Sequence, residues 1–238
     1  MSRLLLVALV LIGVVFGAGG TWLAERVAPG DLSGADQARL GRAVREYVLA
    51  NPEIVREAMQ RLRDRETARL LTGVRGEVET PVGNAWAGNP KGDVTVVEYF
   101  DYNCGYCRAI LPTIDRLIAD DPNVRVVYRE LPVLAESSRA AAQASLKAAA
   151  QGKFARFHQA LYAAGPVSDA TIAAAAKAAG VDLSRAAPDA DAELSRNLSI
   201  ASRLGMGGTP SWVVGDRVLS GALPLDQLKE AVAAARAR

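Results

Sequence analysis

Histidine occurs once in the 238 residues, cysteine twice and methionine three times, and each scarcity removes a class of function. A structural zinc site closes on four Cys or His ligands. His158, Cys104 and Cys107 are too few for that, so no metal is expected. Met1, Met59 and Met206 form no cluster, which leaves out a methionine-rich copper carrier. Basic residues number 28 against 26 acidic ones, and no basic block interleaves with aromatics, so no nucleic-acid partner is indicated. Aromatics are only 5% while half the residues are hydrophobic, a balance that suits an alanine-rich globular chain with much helix.

Both cysteines lie together, in Cys104-Gly105-Tyr106-Cys107. Val94 to Phe100 crowds β-branched and aromatic side chains into a short run, which predicts a buried strand. Ile110, Leu111, Ile114, Leu117 and Ile118 then recur at three- and four-residue steps, the stripe of an amphipathic helix. A strand, a short turn and a helix opening on Cys-x-x-Cys is the setting in which the motif reads as redox chemistry. Cys104 then stands at a helix N-terminus, where unpaired N–H groups and the helix dipole favour a thiolate. Competing readings are weaker. A disulfide over so short a loop restricts the unfolded chain little. Two inert buried thiols are an alternative, but adjacent placement at a strand-to-helix turn is a poor way to obtain them.

Leu4 to Ala24 carries no charged side chain and follows Arg3, the pattern of an export segment. About 20 apolar residues span a bilayer, and no clean Ala-x-Ala site follows, so 1–24 reads as a retained anchor ahead of a cleaved signal peptide. Export places the cysteine pair in an oxidising compartment, periplasmic or otherwise extracytoplasmic. Residues 25–35, with Pro29, Gly30 and Gly34, form a linker. Residues 36–72 read as two charged helices, 36–50 and 52–71, with Asn51 as N-cap and Pro52 at the first helical position. Leu40, Val44, Tyr47, Val55, Met59 and Leu62 make a narrow apolar stripe, which suits either a homo-oligomer or docking on the chain's own domain. Residues 72–92 are loop-rich with room for one edge strand. From 94 the pattern is β-α-β, an alanine-rich helical stretch at about 137–205, then strands at 212–214 and 217–219 as a hairpin through Gly215-Asp216, then a helix from Pro224. The fold class is therefore α/β: a thioredoxin fold over 80–238 with an inserted helical domain.

Three segments resemble the DsbA-like family of exported thiol–disulfide oxidoreductases: Val97 to Cys107, Lys153 to Leu161, and Leu204 to Trp212 with its Gly207-Gly208-Thr209-Pro210. The resemblance spans roughly residues 80–236 and implies roles residue by residue. Cys104 would be the exposed nucleophile and Cys107 the buried resolving thiol, the two alternating between dithiol and disulfide. Gly105 and Tyr106 would tune the pair. Pro210 matches the family's cis-proline, exposing the backbone of Thr209 to an extended substrate. Glu98 matches a buried acid that relays the Cys107 proton; from the residues alone a desolvated carboxylate and an outward-facing one both remain open. His158 reads as a core or interface histidine of the insert, not a catalytic one.

The Cys-Gly-Tyr-Cys centre and helical amino-terminal region look most like the copper-sensitivity-suppressor and isomerase members. That implies isomerase or reductase activity ahead of a disulfide-forming oxidase, on cysteine-containing exported proteins, with a membrane thiol-redox partner and no cofactor. A Cu(I)-binding module using the two thiolates is the alternative of another class.

Overall fold

The computed structural model describes residues 33–187 and 189–237, so the expected anchor at 1–24 and most of the 25–35 linker lie outside the described residues. The chain divides into two compact units, Met1–Met59 and Gln60–Arg238.

In the first unit, α1 (Gly34–Ala50) opens at Ser33, whose hydroxyl accepts from the Asp36 amide. Asn51 does not cap the following helix as expected. It closes α1, donating to the Tyr47 carbonyl from its backbone at 3.0 Å and from its side chain at 2.9 Å. A helix leaves its last carbonyls without partners, and an Asn at a junction can serve either end. Pro52 stays outside, and α2 (Glu53–Thr72) starts at Glu53. None of the residues of α1 is buried.

In the second unit, a five-residue helix, α3 (Arg75–Glu79), interrupts the stretch expected to be loop. It is too short to show a period, and it is held by burial of Val74 and Val78. The sheet has the order β1-β3-β2-β4-β5, from β1 (Trp86–Gly88), β2 (Val94–Phe100), β3 (Val124–Glu130), β4 (Ser211–Val214) and β5 (Arg217–Ser220). β2 and β3 are parallel, joined by α4 (Gly105–Asp120); the other neighbours are antiparallel. Between β3 and β4 stand α5 (Glu136–Ala150), α6 (Phe154–Ala163), α7 (Asp169–Ala179) and α8 (Ala190–Arg203), and α9 (Leu225–Arg236) closes the chain.

Central parallel strands need cover on both faces, and β2 shows it, with only Thr95 left partly open. Val94, Val96 and Phe100 face one core, with residues of α4, α5, α6, α7 and α9. Val97 and Tyr99 face the other, with Leu71, Val74, Val78 and the end of α8. Arg129 ties that second face together. Its guanidinium donates to the carbonyls of Glu77, Val78 and Thr80 and pairs with Glu193.

Candidate active site

Cys104 is the N-cap of α4. Its sulfur accepts from the Cys107 amide at 3.4 Å, and its thiol donates to the Thr209 carbonyl at 3.2 Å. Both cysteines are free thiols. Cys104 was expected exposed; it is only 5% exposed, because the loop ending at Thr209 lies over the sulfur. Tyr106, one residue short of Cys107, is 70% exposed and stands at the surface. Cys107 is fully buried, and that burial, with Glu98 second, pushes its thiol well above the ordinary range. The Thr209-Pro210 bond is cis, as expected, and the Thr209 hydroxyl has no partner among the described residues.

Glu98 points inward. Strand alternation sets it on the face of Val96 and Phe100, the face that receives Cys107 and Ile110 of α4. It is 1% exposed, and neither carboxylate oxygen has a hydrogen-bond partner among the described residues. Burial, and next the charge of Cys104, raise its carboxyl from 4.5 to about 8. A carboxyl in that state holds its proton at neutral pH.

Three buried polar residues around the thiols escaped the sequence reading. Asp101 is the clamp. One of its oxygens accepts from the Asn103 amide at 2.9 Å and the Ser138 hydroxyl at 2.8 Å. The other accepts from the amides of Val133 and Leu134 at 2.9 and 3.0 Å. Its carbonyl receives the Cys104 amide at 2.9 Å. Tyr102 donates to Ser145 at 3.0 Å and lies 3.0 Å from Nδ1 of His158. Glu130 is buried beside Ser145, and burial raises its carboxyl well above the usual range. An acid directly after an apolar strand, as in Phe100-Asp101, is the one signal that marked any of them. His158 sits among Phe100, Tyr102, Tyr128, Phe154 and Tyr162, and burial lowers it from 6.5 to about 3.

Residues 95–233 match the DSBA-like thioredoxin domain. The chain belongs to that family. Residues 36–69 separately match the N-terminal domain of the copper resistance protein ScsC. Among solved structures, a thioredoxin-like oxidoreductase from Silicibacter pomeroyi is 42% identical, covering 69% of this chain and 98% of that one, with a TM-score of 0.65. A linker-deletion mutant of Proteus mirabilis ScsC is 28% identical, covers 88% of this chain and 99% of that one, and gives a TM-score of 0.68. A curated relative, a Na(+)/H(+) antiporter NhaA of Salinispora arenicola, is 30% identical over 96% of this chain. This chain spans only 37% of that relative's length. Among the described residues, no helix is long and apolar enough to cross a membrane. The DSBA-like assignment therefore rests on the region that holds both cysteines, Glu98 and the Thr209-Pro210 loop.

Proposed function

We propose that this DSBA-like protein exchanges disulfides with cysteine-containing exported proteins outside the cytoplasm, acting as isomerase or reductase ahead of oxidase. The observation that carries the reading is the unequal pair: Cys104 at a helix N-cap with an amide aimed at its sulfur, and Cys107 sealed beneath with its proton held.

The Cys104 thiolate attacks one sulfur of a client disulfide. A Cys104–client bond forms, the client S–S bond breaks, and the second client sulfur leaves as thiolate. Glu98 then enters. The Cys104 charge is one of the two causes that raise its carboxyl, and that charge disappears in the mixed disulfide. Loss of that charge lowers the Glu98 carboxyl, so it gives up its own proton to solvent and stands as a carboxylate, and Cys107 is close enough for the two charges to act on each other. With its proton passed to Glu98, Cys107 attacks Cys104, and the client departs with two thiols while the pair becomes a disulfide. In isomerisation a client thiolate attacks the mixed disulfide instead and returns Cys104 as it began. Reduction thus needs a membrane thiol-redox partner to recharge the pair; isomerisation does not.

Two features support the isomerase side. The ScsC-like N-terminal match covers 36–69, and the exposed stripe of α1 and α2 suits a homo-oligomer that would hold a client between several Cys104 sulfurs. Refolding of scrambled ribonuclease decides the reading. The wild type is expected to restore activity and Cys104→Ser to restore none. Equal recovery with both proteins removes Cys104 as nucleophile. Reduction of insulin without ribonuclease recovery moves the function to reductase.

A further inference from the structure

We infer that the aromatic cavity between α4 and α6 binds a neutral aromatic small molecule, whose O–H or N–H donates to Nε2 of His158. The cavity holds about 480 Å³ and shares no wall residue with the thiols or the Thr209-Pro210 loop. From α4 it takes Arg108, Leu111, Pro112 and Asp115, whereas Cys107, Ile110 and Ile114 enter the core from another face of that helix. The site therefore stands apart from the sulfur chemistry and does not depend on it.

Tyr128, Phe154, His158 and Tyr162 are buried, and all four form its floor. The His158 ring stacks on Phe154 with 4.9 Å between centroids and meets Tyr162 edge-on at 4.9 Å. Its two nitrogens differ. Tyr102, outside the cavity wall, gives its one O–H to Ser145. Across the 3.0 Å to His158 the tyrosine oxygen therefore accepts, and Nδ1 donates. A neutral imidazole with its proton on Nδ1 carries a bare lone pair on Nε2. Burial keeps the ring neutral, and Nε2 has no partner among the described residues, although His158 is only 4% exposed. An acceptor buried without a donor costs free energy that an arriving donor recovers. Two donors of the wall are already committed: Tyr162 to the Asp101 carbonyl at 3.2 Å, and Arg108 to the Gly165 carbonyl at 2.9 Å.

The chemistry of the occupant follows from these walls. Aromatic faces and edges take a planar ring in stacked or edge contact. One bare acceptor on an apolar floor fixes the orientation of a molecule that carries one donor. A carboxylate would meet the Nε2 lone pair with nothing to neutralise it there. Arg108 and Asp115 stand exposed at the rim with opposite charges, so neither sign of ligand gains a net attraction. A phenol or an indole satisfies all of these conditions.

The test is a ligand-observed NMR titration of the full chain with indole and with benzofuran, which has the same shape but an oxygen in place of the N–H. Indole is expected to bind about three- to tenfold tighter, the worth of one buried hydrogen bond. His158→Phe keeps a ring and removes the acceptor, and should bring the two probes within about twofold of each other. Ala155→Trp, at an exposed rim position, crowds the cavity and should weaken both probes at least about fivefold. Oxidation of the reduced cysteine pair by 2-hydroxyethyl disulfide reports whether each variant has folded. Absence of indole binding, or equal binding of the two probes by the wild type, overturns the site and leaves Nε2 to a water. A preference for indole that persists in His158→Phe overturns it too, as does undiminished binding to Ala155→Trp, which would place the probes elsewhere. Should His158→Phe fail to fold, Ala155→Trp decides.

Discussion

The thiol of Cys104 donates to the Thr209 carbonyl at 3.2 Å while its sulfur accepts from the Cys107 amide at 3.4 Å. The two bonds favour opposite charge states, since the carbonyl needs S–H and the amide favours bare sulfur. Loss of the proton forfeits one bond and strengthens the other. Cys107 has no such choice, being fully buried with its proton held by its surroundings.

Native alkylation should therefore separate the thiols. Iodoacetamide on the reduced protein is expected to label Cys104 alone, with Cys107 labelled only after unfolding. Cys107→Ser should accumulate Cys104–client mixed disulfides on non-reducing gels, because nothing internal resolves them. Mass spectrometry finding Cys107 labelled first would reverse the assigned roles.

Glu98 makes stability depend on pH in a defined direction. Its folded carboxyl titrates at about 8 against an ordinary 4.5, so the unfolded chain releases the proton first. Below 4.5 both states hold it and Glu98 is neutral to stability. As pH rises from 4.5 to about 8 the folded state loses ground, on the order of 5 kcal/mol at most, and the loss then levels off. Glu98→Gln should melt progressively higher than wild type across that window while slowing resolution by Cys107. A melting difference that does not change with pH would remove Glu98 as a buried proton holder.

How far the sequence reached follows from which physics is local. β2 and α4 were legible almost to the residue because a β-branched run and a helical stripe are properties of consecutive residues. Glu98 was identified, but its direction was not, since alternation along a strand buried on both faces gives no polar side to read. Asp101 works mostly through Val133, Leu134 and Ser138, partners more than thirty positions on, so only its place directly after the strand hints at the clamp. Asn51 was assigned to the wrong helix because the residue suits either end of one. The shielding of Cys104 depends on Thr209, which only the folded chain brings to the sulfur.

His158 opposes Glu98 in pH. Burial lowers it from 6.5 to about 3, so the unfolded chain gains the proton first and stability falls as pH drops from 6.5. The fall is complete near 3 and on the order of 5 kcal/mol at most. His158→Phe keeps a ring in the cluster and leaves Tyr102 bonded to Ser145. Its stability relative to wild type should improve steadily as pH falls below 6.5, read by urea unfolding at several pH values. No relative gain there would mean that the ring is protonated in the folded protein.

Asp101→Ala strands the amides of Asn103, Val133 and Leu134 and the Ser138 hydroxyl at once. Buried donors left alone cost about 1–3 kcal/mol each, and water reaches part of this set, so a total loss of roughly 2–4 kcal/mol is expected. Asp101→Asn, which keeps one acceptor oxygen, should recover part of it. Chemical denaturation of the three proteins orders them, and an Ala variant as stable as wild type would show that the clamp is dispensable.

The stripe of α1 and α2 supplies the last expectation. Leu40, Val44, Tyr47, Val55 and Met59 are all more than half exposed, and the apolar side chains of a helix are covered by something when the chain works as an assembly. Heptad-like spacing with Arg and Glu on the flanks fits a bundle of identical helices, in which each stripe packs against its copies. Leu40→Asp with Val44→Asp puts two charges into that seam and should dissociate it, since an unpaired buried carboxylate costs more than the contact gains. Light scattering on the full chain is expected to give a multiple of the 25.1 kDa monomer for wild type and a monomer for the double variant. Ribonuclease refolding should fall in the variant while 2-hydroxyethyl disulfide still oxidises the pair at the wild-type rate, because Cys104 itself is untouched. A monomeric wild type would leave the isomerase reading without its cradle.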